Sequence, residues 1–380
     1  MTEPVKRRGR RIGLFLLLCL LAPGAVAAYL LHDRYTGFAD TPLAGVQAGE
    51  TFVVERGDSF QRVLGRLREA GIVEGHELEW RALARQLGAD ARIQVGEYPL
   101  DPSVTPRELL VRMRDGRVIR HRFTIVEGWN IRELRAALAK APLLQETAGL
   151  DDAALMKALG HEGQHPEGRF LPETYAWVRG DSDLDILRRA HADMARALDE
   201  AWASRAQGLP LANKDEALVL ASIVEKETGI AEERPQIAGV FVRRLRIGMR
   251  LQTDPTVIYG MGAAYQGNIR RSDLTADTPY NTYTRVGLPP TPIAMPGRAA
   301  LQAAVNPAPG DALFFVSRND GSHVFSATYA EHNRAVDCYQ RRRGCPPGQQ
   351  ALPAQAAASP AGQDPGQDPA QGPAQDPGPR

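Results

Sequence analysis

The residues best suited to chemistry are two glutamates, Glu225 and Glu227, at the end of a nearly unbroken apolar stretch. From Ala217 to Val224 every residue except Ser222 is apolar, which predicts a helix that is buried nearly all round. The helix macrodipole is negative at its C-terminal end and disfavours an ionised carboxylate there, and burial also raises a carboxyl pKa. A carboxyl that stays protonated near neutral pH is what a general acid requires.

The two glutamates are two residues apart and therefore do not share a helix face. The residues one turn before Glu227 are the large apolar Ile223 and Val224, whereas those before Glu225 are small. We therefore predict the raised pKa for Glu227 and a solvated or supporting role for Glu225. The alternative is that both side chains only solubilise the end of a helix, since such carboxyls mark functional sites only as a tendency.

The segments after this helix supply further polar side chains. Residues 231–249 predict a second helix with Pro235 near its start. Polar residues between glycine and proline turn signals follow at 248–260, which is the composition of a functional loop. A proline-dense stretch at 287–293 is rigid and is suited to form a fixed wall of a groove.

The composition excludes several function classes. The 380 residues carry a formal net charge of +1, which gives no support for nucleic acid as the main partner. Three cysteines, Cys19, Cys338 and Cys345, show no C-x-x-C spacing. We therefore predict no metal site and no cofactor.

The N-terminus predicts a membrane anchor. A basic cluster between Lys6 and Arg11 precedes an apolar run from Ile12 to Leu31, about the 20 residues that cross a bilayer as a helix. We expect a cytoplasmic tail at 1–11, a transmembrane helix at 12–32 and the rest of the chain on the outer side. A cleaved signal peptide is the alternative, because the small residues at 25–28 resemble a cleavage site.

The remaining chain predicts an α+β protein in four parts. Residues 33–48 form a polar stalk, and residues 49–117 form a small α/β module. This module has strands at 51–54 and 93–98 and helices that begin near Ser59, Glu77 and Thr105. Residues 118–340 form a larger mixed α+β domain that contains the buried helix. Residues 346–380, rich in Pro, Gln, Ala, Gly and Asp, cannot bury a core and are predicted to be disordered.

Three motifs resemble those of the MltG/YceG-like family of endolytic murein transglycosylases. They are Ser-Ile-Val-Glu-Lys-Glu-Thr at 222–228, the run at 248–260, and Glu-Gly-x-x-x-Pro-x-Thr-Tyr at 167–175. The resemblance extends from about residue 50 to about residue 340. One departure is Arg243, because the family usually has Asn at this position.

The resemblance implies an enzyme of the bacterial inner membrane with a periplasmic catalytic domain. It would cleave the β-1,4 bond between N-acetylmuramic acid and N-acetylglucosamine inside peptidoglycan strands, leave 1,6-anhydro-N-acetylmuramic acid ends, and so terminate nascent strands. Its expected partners are glycan strands, the membrane and peptidoglycan synthases. The module at 49–117 resembles the LysM-like domain of the family. It either contacts glycan or acts as a spacer, because it has few aromatic side chains for stacking on sugars, with Trp80 and Tyr98 the main ones.

The resemblance also implies the roles of individual residues. Related lytic transglycosylases place the catalytic Glu directly before Ser or Thr, which selects Glu227, followed by Thr228. Glu225 is the supporting or alternative catalytic residue. The residues expected to orient the sugar are Gln252, Thr253, Asp254, Tyr259, Asn281 and Tyr283.

Two other functions stay open at this stage. The first is a muramidase-type hydrolase in which Asp254 or Glu225 activates water. The second is a non-enzymatic scaffold that binds peptidoglycan and recruits synthases.

A disulfide between Cys338 and Cys345 is expected if these residues face an oxidising compartment. The loop between them is short, and Gly344 permits a tight turn. The alternative is two free thiols in a frayed end. Cys19 falls inside the predicted membrane span, and His323 and His332 are expected to be structural.

Overall fold

The computed structural model of the protein describes the backbone of residues 5–345 and the side chains of residues 23–345. The chain divides into two compact units. Among the described residues, unit 1 comprises those up to His121 together with Ala176–Asp181, and unit 2 comprises Arg122–Tyr175 together with those from Ser182 to Cys345. Helices and short strands both contribute, so the fold is mixed α+β, in agreement with the predicted class.

Unit 1 packs helices around one antiparallel strand pair. Its main elements are α1 Val5–Asp40, β1 Thr51–Val54, α2 Phe60–Glu69, α3 Glu77–Leu87, β2 Gly96–Pro99 and α4 Pro106–Asp115. Strands β1 and β2 pair with Phe52 opposite Tyr98. Both of these side chains are buried, together with Trp80 and Met113. Full burial of such side chains stabilises the fold by about 1.5–3 kcal/mol each, so this unit has a core of its own.

The helix starts in unit 1 follow from the capping residues in the sequence. The Ser59 hydroxyl accepts from Arg62 N at 3.3 Å at the start of α2, and the Thr105 hydroxyl accepts from Glu108 N at 3.2 Å at the start of α4. The strand predicted at 93–98 begins only at Gly96. The reason is that Gln94 N donates to Met113 O at 3.0 Å, which ties this residue to the end of α4 rather than to β1.

The predicted transmembrane helix at 12–32 lies within α1. The side chains of residues 12–22, Cys19 among them, lie outside the described part, as do those of the predicted basic tail at 1–11. Among the described residues, no helix has both the length and the apolarity needed to cross a membrane. The predicted tail at 346–380 also lies outside the described residues.

The chain beyond α4 contains most of the helices and strands of the protein. Its elements are β3 His121–Thr124, α5 Ile131–Leu138, α6 Asp152–Ala158, β4 Thr174–Trp177, α7 Asp183–Ala203, α8 Lys214–Glu227, α9 Arg234–Arg246, α10 Asp254–Met261, a 3-10 turn Gly262–Ala264, α11 Arg271–Thr275, α12 Arg298–Val305, β5 Phe314–Ser317, β6 His323–Ser326 and α13 Tyr329–Tyr339. Strand β3 pairs with β4, and β5 pairs with β6 as an antiparallel hairpin.

Helix α8 forms the centre of unit 2. Its residues from Ala217 to Val224 are all buried, and it packs against α7, α9 and α12. The helix is therefore buried all round, as the apolar run predicts. Ser222 is accommodated because its hydroxyl donates to Val219 O at 2.7 Å and accepts from Ile293 N at 3.0 Å, which leaves no unsatisfied polar atom.

The prediction of a continuous loop at 248–260 is partly wrong, because Asp254–Met261 forms α10. Thr253 has an extended backbone just before the helix, and Pro255 lies in the first turn. In that turn the fixed φ of proline suits the helix, and its missing N–H would have had no intrahelical partner. The loop is therefore confined to residues 248–253, and its polar side chains lie next to the start of a helix.

The last described residues are joined to α13 by a disulfide between Cys338 and Cys345, whose Cα atoms are 4.6 Å apart. Cys338 is buried within α13, and Gly344 has a φ of 66°, in the region that glycine adopts at low cost. The bond closes the short turn that follows the helix.

We predict that a Cys345→Ser variant unfolds with a free energy about 2 kcal/mol lower than that of the wild type, because closing a short loop restricts the unfolded chain. Denaturant unfolding in non-reducing buffer measures the difference. A reducing agent should bring the wild type to the level of the variant. Labelling of Cys338 and Cys345 by a thiol reagent in the denatured, unreduced wild type would exclude the bond.

Candidate active site

Glu227, the last residue of α8, is half-buried, and its carboxyl faces the segment before α10. The Thr253 hydroxyl donates a hydrogen bond to Glu227 Oε1. Burial raises the pKa of Glu227 to about 7, and the Asp254 charge acts in the same direction. The Thr253 hydrogen bond and the Arg244 charge oppose this rise in pKa. The carboxyl can therefore both give and take a proton near neutral pH.

Thr253 is held in place by two further buried threonines. Its backbone N–H donates to Thr282 Oγ1 at 3.1 Å, and its carbonyl accepts from Thr256 Oγ1 at 2.8 Å. The Thr256 and Thr282 hydroxyls lie 2.9 Å apart. Because these bonds fix the backbone on both sides of its side chain, the Thr253 hydroxyl has one direction, toward Glu227.

Gln252 adopts a φ of +49°, in the left-handed region. A residue with a Cβ pays on the order of 1 kcal/mol for this conformation, which persists where surrounding contacts fix it. Here Gln252 N donates to Thr282 O at 3.2 Å. The resulting turn directs Thr253 to Glu227 and leaves the Gln252 side chain half-buried at the same edge.

Asp254 and Tyr283 form a hydrogen-bonded pair beside Glu227. The Tyr283 hydroxyl donates to Asp254 Oδ1 at 2.5 Å. Burial, and then the charges of Asp254 and Glu227, raise the Tyr283 pKa, so the phenol keeps its proton. Asp254 is the first residue of α10, where the positive end of the helix dipole favours its charge. The site therefore places one protonatable carboxyl near one carboxylate.

Two of the predicted sugar-orienting residues have other partners in the structure. The Asn281 amide donates to the carbonyls of Asp273, Leu274 and Ala276 at 2.7–3.0 Å, and its oxygen accepts from Tyr283 N at 2.9 Å. Asn281 is buried and therefore holds the loop that carries Tyr283.

Tyr259 lies on α10, with its ring centroid 4.9 Å from that of Tyr280, and its hydroxyl donates to Glu167. The structure thus groups Glu227 with Thr253, Asp254 and Tyr283 and gives Tyr259 a separate contact.

Glu167 is a buried carboxyl that begins the motif at 167–175, but the sequence predicts no role for it. It has no exposed surface, and burial raises its pKa to about 7. Both of its oxygens accept from Ile131 N, at 3.1 and 3.2 Å, and it also accepts from the Tyr259 hydroxyl. Glu167 therefore joins the start of α5 to α10. The Glu-Gly pair at 167–168 is the sequence signal for this buried position. Gly168 is needed there because a Cβ would lie only 2.6 Å from Pro292.

Glu225 is not solvated, so this option in the prediction is wrong. Its side chain is 6% exposed, and its Oε2 accepts from Gly297 N at 2.9 Å at the start of α12. Burial raises its pKa as well. The N–H at the start of α12 has no partner within its helix and donates to the Glu225 carboxylate. The sequence spacing alone does not reveal this contact. A supporting role for Glu225 stays a prediction.

A buried chain of hydrogen bonds holds the residue that follows Glu227. The Thr228 hydroxyl donates to Glu233 Oε2 at 3.3 Å. Glu233 Oε2 lies 2.7 Å from His323 Nδ1, and Glu233 Oε1 accepts from His323 N at 2.8 Å. The sequence assigns His323 a structural role, and the structure shows that it anchors the C-terminal end of α8 through Glu233.

Arg243 and Arg244 support the same region from α9. Arg243 donates to Ala312 O at 2.6 Å and Ala308 O at 3.2 Å, so the residue that departs from the family pattern binds backbone carbonyls. Arg244 is buried, and it donates to Leu313 O and Leu251 O, both at 2.7 Å. Its positive charge lowers the pKa of Glu227.

We predict that a Thr253→Val variant raises the Glu227 pKa above about 7, because the lost hydroxyl donor favours the ionised carboxylate. Carbon-13 NMR of the Glu227 carboxyl across a pH titration measures the shift. Thr253→Ser keeps the hydroxyl and serves as the matched control, with a pKa that stays at about 7. An unchanged or lower pKa in Thr253→Val would show that the bond does not act on Glu227.

Comparison with known proteins assigns the chain to a family. The sequence matches a model of the YceG-like family over residues 52–338. It is similar to an endolytic murein transglycosylase of Bacillus subtilis strain 168, at 29% identity over 304 residues, covering 75% of this chain and 83% of that relative. It is also similar to an endolytic murein transglycosylase of Streptococcus pneumoniae serotype 2, at 25% identity, covering 86% of this chain and 64% of that relative.

A YceG-like protein of Listeria monocytogenes, solved by crystallography, is a similar structure. It shares 27% sequence identity, with a TM-score of 0.47, over 75% of this chain and 98% of the Listeria chain. The family match spans the helix that carries Glu227, the segment that carries Thr253 and Asp254, and the loop that carries Tyr283. The chain therefore belongs to the YceG-like family.

Proposed function

We propose that this protein is an endolytic murein transglycosylase that cleaves peptidoglycan strands at internal bonds. Membership of the YceG-like family and the names of its relatives support this activity. The observation that carries the proposal is the Glu227 carboxyl, held at the end of a buried helix with its pKa raised to about 7. Such a group is partly protonated at neutral pH and can act as an acid and then as a base.

The reaction uses one carboxyl twice. Glu227 protonates the oxygen between N-acetylmuramic acid and the next N-acetylglucosamine, and the bond from that oxygen to muramic C1 breaks. The N-acetylglucosamine leaves with a free hydroxyl, and positive charge develops at C1. The muramic C6 hydroxyl then bonds to C1 while the Glu227 carboxylate takes its proton. The product is a 1,6-anhydro end, Glu227 is protonated again, and no water is consumed.

The neighbours of Glu227 have distinct roles in this mechanism. Thr253 aims the carboxyl through its hydrogen bond, and its hydroxyl stabilises the carboxylate between the two proton transfers. The Asp254 carboxylate and the Tyr283 hydroxyl are placed to orient the sugar, and the Asp254 charge favours a positive C1. Gln252 contributes a side chain at the same edge. Asn281 acts indirectly by holding the loop of Tyr283.

A muramidase-type hydrolase is the second candidate, because Asp254 supplies a carboxylate close to Glu227. In that reaction Asp254 would activate a water molecule, and the cut strand would end in a reducing muramic acid. Glu225 is less suited to this task, since it is buried and bonded to Gly297 N. The structure of the product separates the two reactions.

We predict that Glu227→Gln loses at least about 10³-fold of the strand-cleaving activity, because an amide cannot transfer the proton. Mass spectrometry of digested sacculi measures both the amount and the type of end. The matched control is Glu232→Gln, an exposed glutamate between α8 and α9, which should cleave as the wild type does.

Wild-type products with 1,6-anhydro ends support the transglycosylase. Reducing muramic acid ends would establish the hydrolase instead. Full activity of Glu227→Gln would exclude Glu227 as the acid, and absence of cleavage by the wild type would favour the scaffold function.

We propose further that residues 12–32 anchor the enzyme in the bacterial inner membrane with unit 2 in the periplasm, where peptidoglycan lies. The basic cluster before residue 12 supports this orientation. The β1–α2–α3–β2 module is proposed to be LysM-like and to contact glycan or to act as a spacer, and synthases are proposed partners.

We predict that protease added outside spheroplasts degrades the chain beyond about Asp33 and leaves a short membrane-bound fragment. Immunoblotting with antibodies against the two ends of the chain measures this. Lysed spheroplasts are the control, in which the basic N-terminus is also cleaved. Protection of unit 2 in intact spheroplasts would reverse the proposed topology.

A further inference from the structure

Arg234, the first residue of α9, carries a largely buried guanidinium that lacks close partners. Its side chain is 12% exposed, and it makes no hydrogen bond with any residue that the structure describes. Its Nε is fully buried and unpaired. The nearest carboxylate oxygens lie beyond hydrogen-bond distance of Nη2, at 3.7 Å on Glu225 and 3.9 Å on Glu127. A buried guanidinium normally donates several hydrogen bonds, so this one has donors to spare.

Two glutamates already face Arg234. Glu225 is occupied by Gly297 N on one oxygen and faces Arg234 with the other. Glu127 is 51% exposed, and Lys226 Nζ lies 3.3 Å from Gly128 O in the same neighbourhood. With two glutamates this close, the site does not require a further anion. An uncharged acceptor fits the unused N–H donors of Arg234 better, because a further carboxylate would be repelled by both glutamates.

Arg234 lies near the helix end that carries Glu227, because its nearest carboxylate, Glu225, is two residues before Glu227 on α8. Glu225 and Lys226 directly precede Glu227 on α8, and a helix is about 10 Å wide. The carboxyls of Glu225 and Glu227 point to different sides of the same helix end, on the order of 10 Å apart. A strand bound at Glu227 therefore brings the neighbouring sugar rings within reach of Arg234.

We infer that Arg234 forms a subsite that binds an amide carbonyl oxygen of the glycan strand. The inference rests on the proposed function, which makes peptidoglycan the substrate. The strand offers this group in two places, the acetamido substituents of the sugars and the amide that joins the lactyl group of muramic acid to a stem peptide. In strands without peptides the lactyl group ends in a carboxylate, which Glu127 and Glu225 disfavour.

The test measures binding separately from cleavage. Soluble strands with and without stem peptides are titrated against the full chain carrying Glu227→Gln, so that no strand is cut. Adding Arg234→Gln should weaken binding about tenfold, since hydrogen bonds from a charged donor are of that strength. In the chain with Glu227 intact, the same change should raise KM and leave kcat nearly unchanged.

The matched control is Arg298→Gln. Arg298 also lies near two glutamates, Glu200 at 3.4 Å and Glu173 at 3.9 Å, but its side chain is 52% exposed and solvated. The Arg298→Gln variant removes the same positive charge from a solvated position, so it should bind both strands as the parent does. Arg234→Lys keeps the charge without the planar donors and should weaken binding as Gln does. It also serves if Arg234→Gln fails to fold.

The outcomes identify the acceptor. Weaker binding of both strands assigns the acetamido carbonyl, and weaker binding of peptide-bearing strands alone assigns the stem amide. Unchanged binding of both strands by a folded Arg234 variant overturns the subsite. A lower kcat with unchanged KM and unchanged binding overturns it as well, because Arg234 would then act only on Glu225. Reducing ends made by the wild type would refute the transglycosylase without affecting the binding result.

Discussion

The structure depends on the burial of the C-terminal end of α8. A carboxyl at this position has little water, faces the negative end of a helix dipole and therefore holds its proton more tightly than an exposed glutamate does. An arrangement of this kind survives only if the helix end cannot move toward solvent. Neighbouring segments hold it on three sides through the pairs Glu225–Gly297, Glu227–Thr253 and Thr228–Glu233.

Each of these restraints comes from a different part of unit 2. Gly297 begins α12, Thr253 precedes α10, and Glu233 precedes α9 and connects to the hairpin through His323. The apolar residues of α8 supply most of the burial, and the polar contacts at its end supply direction. The buried core and the Glu227 carboxyl thus belong to successive segments of one helix, so the core positions this carboxyl directly.

Much of this arrangement can be predicted from the sequence where the signal is local. The apolar run at 217–224 predicts α8, the helix dipole and burial predict the direction of the Glu227 pKa, and Pro235 marks the start of α9. These inferences need only the periodicity and the residues within one turn. The same local logic predicts the helix starts at Ser59 and Thr105.

Contacts between distant segments could not be predicted in this way. The sequence around Glu225 is typical of a solvated helix end. Its carboxyl nevertheless accepts a hydrogen bond from the N–H of Gly297, which lies 72 residues away. Asn281 and Tyr259 have suitable side chains for a sugar, but the first is used by its own loop and the second by Glu167. The role of Glu167 could not be predicted, because its burial depends on segments that only the fold brings together.

The Ser222 hydroxyl has a mechanical consequence for the enzyme. It joins α8 to Ile293, the end of the proline-dense stretch at 287–293, in which φ is fixed at each proline. The proline-dense stretch and the helix that carries Glu227 are therefore tied to each other. A displacement of this stretch would therefore be transmitted along α8 to Glu227 at its end, so the placement of the stretch and the reach of that carboxyl are mechanically coupled.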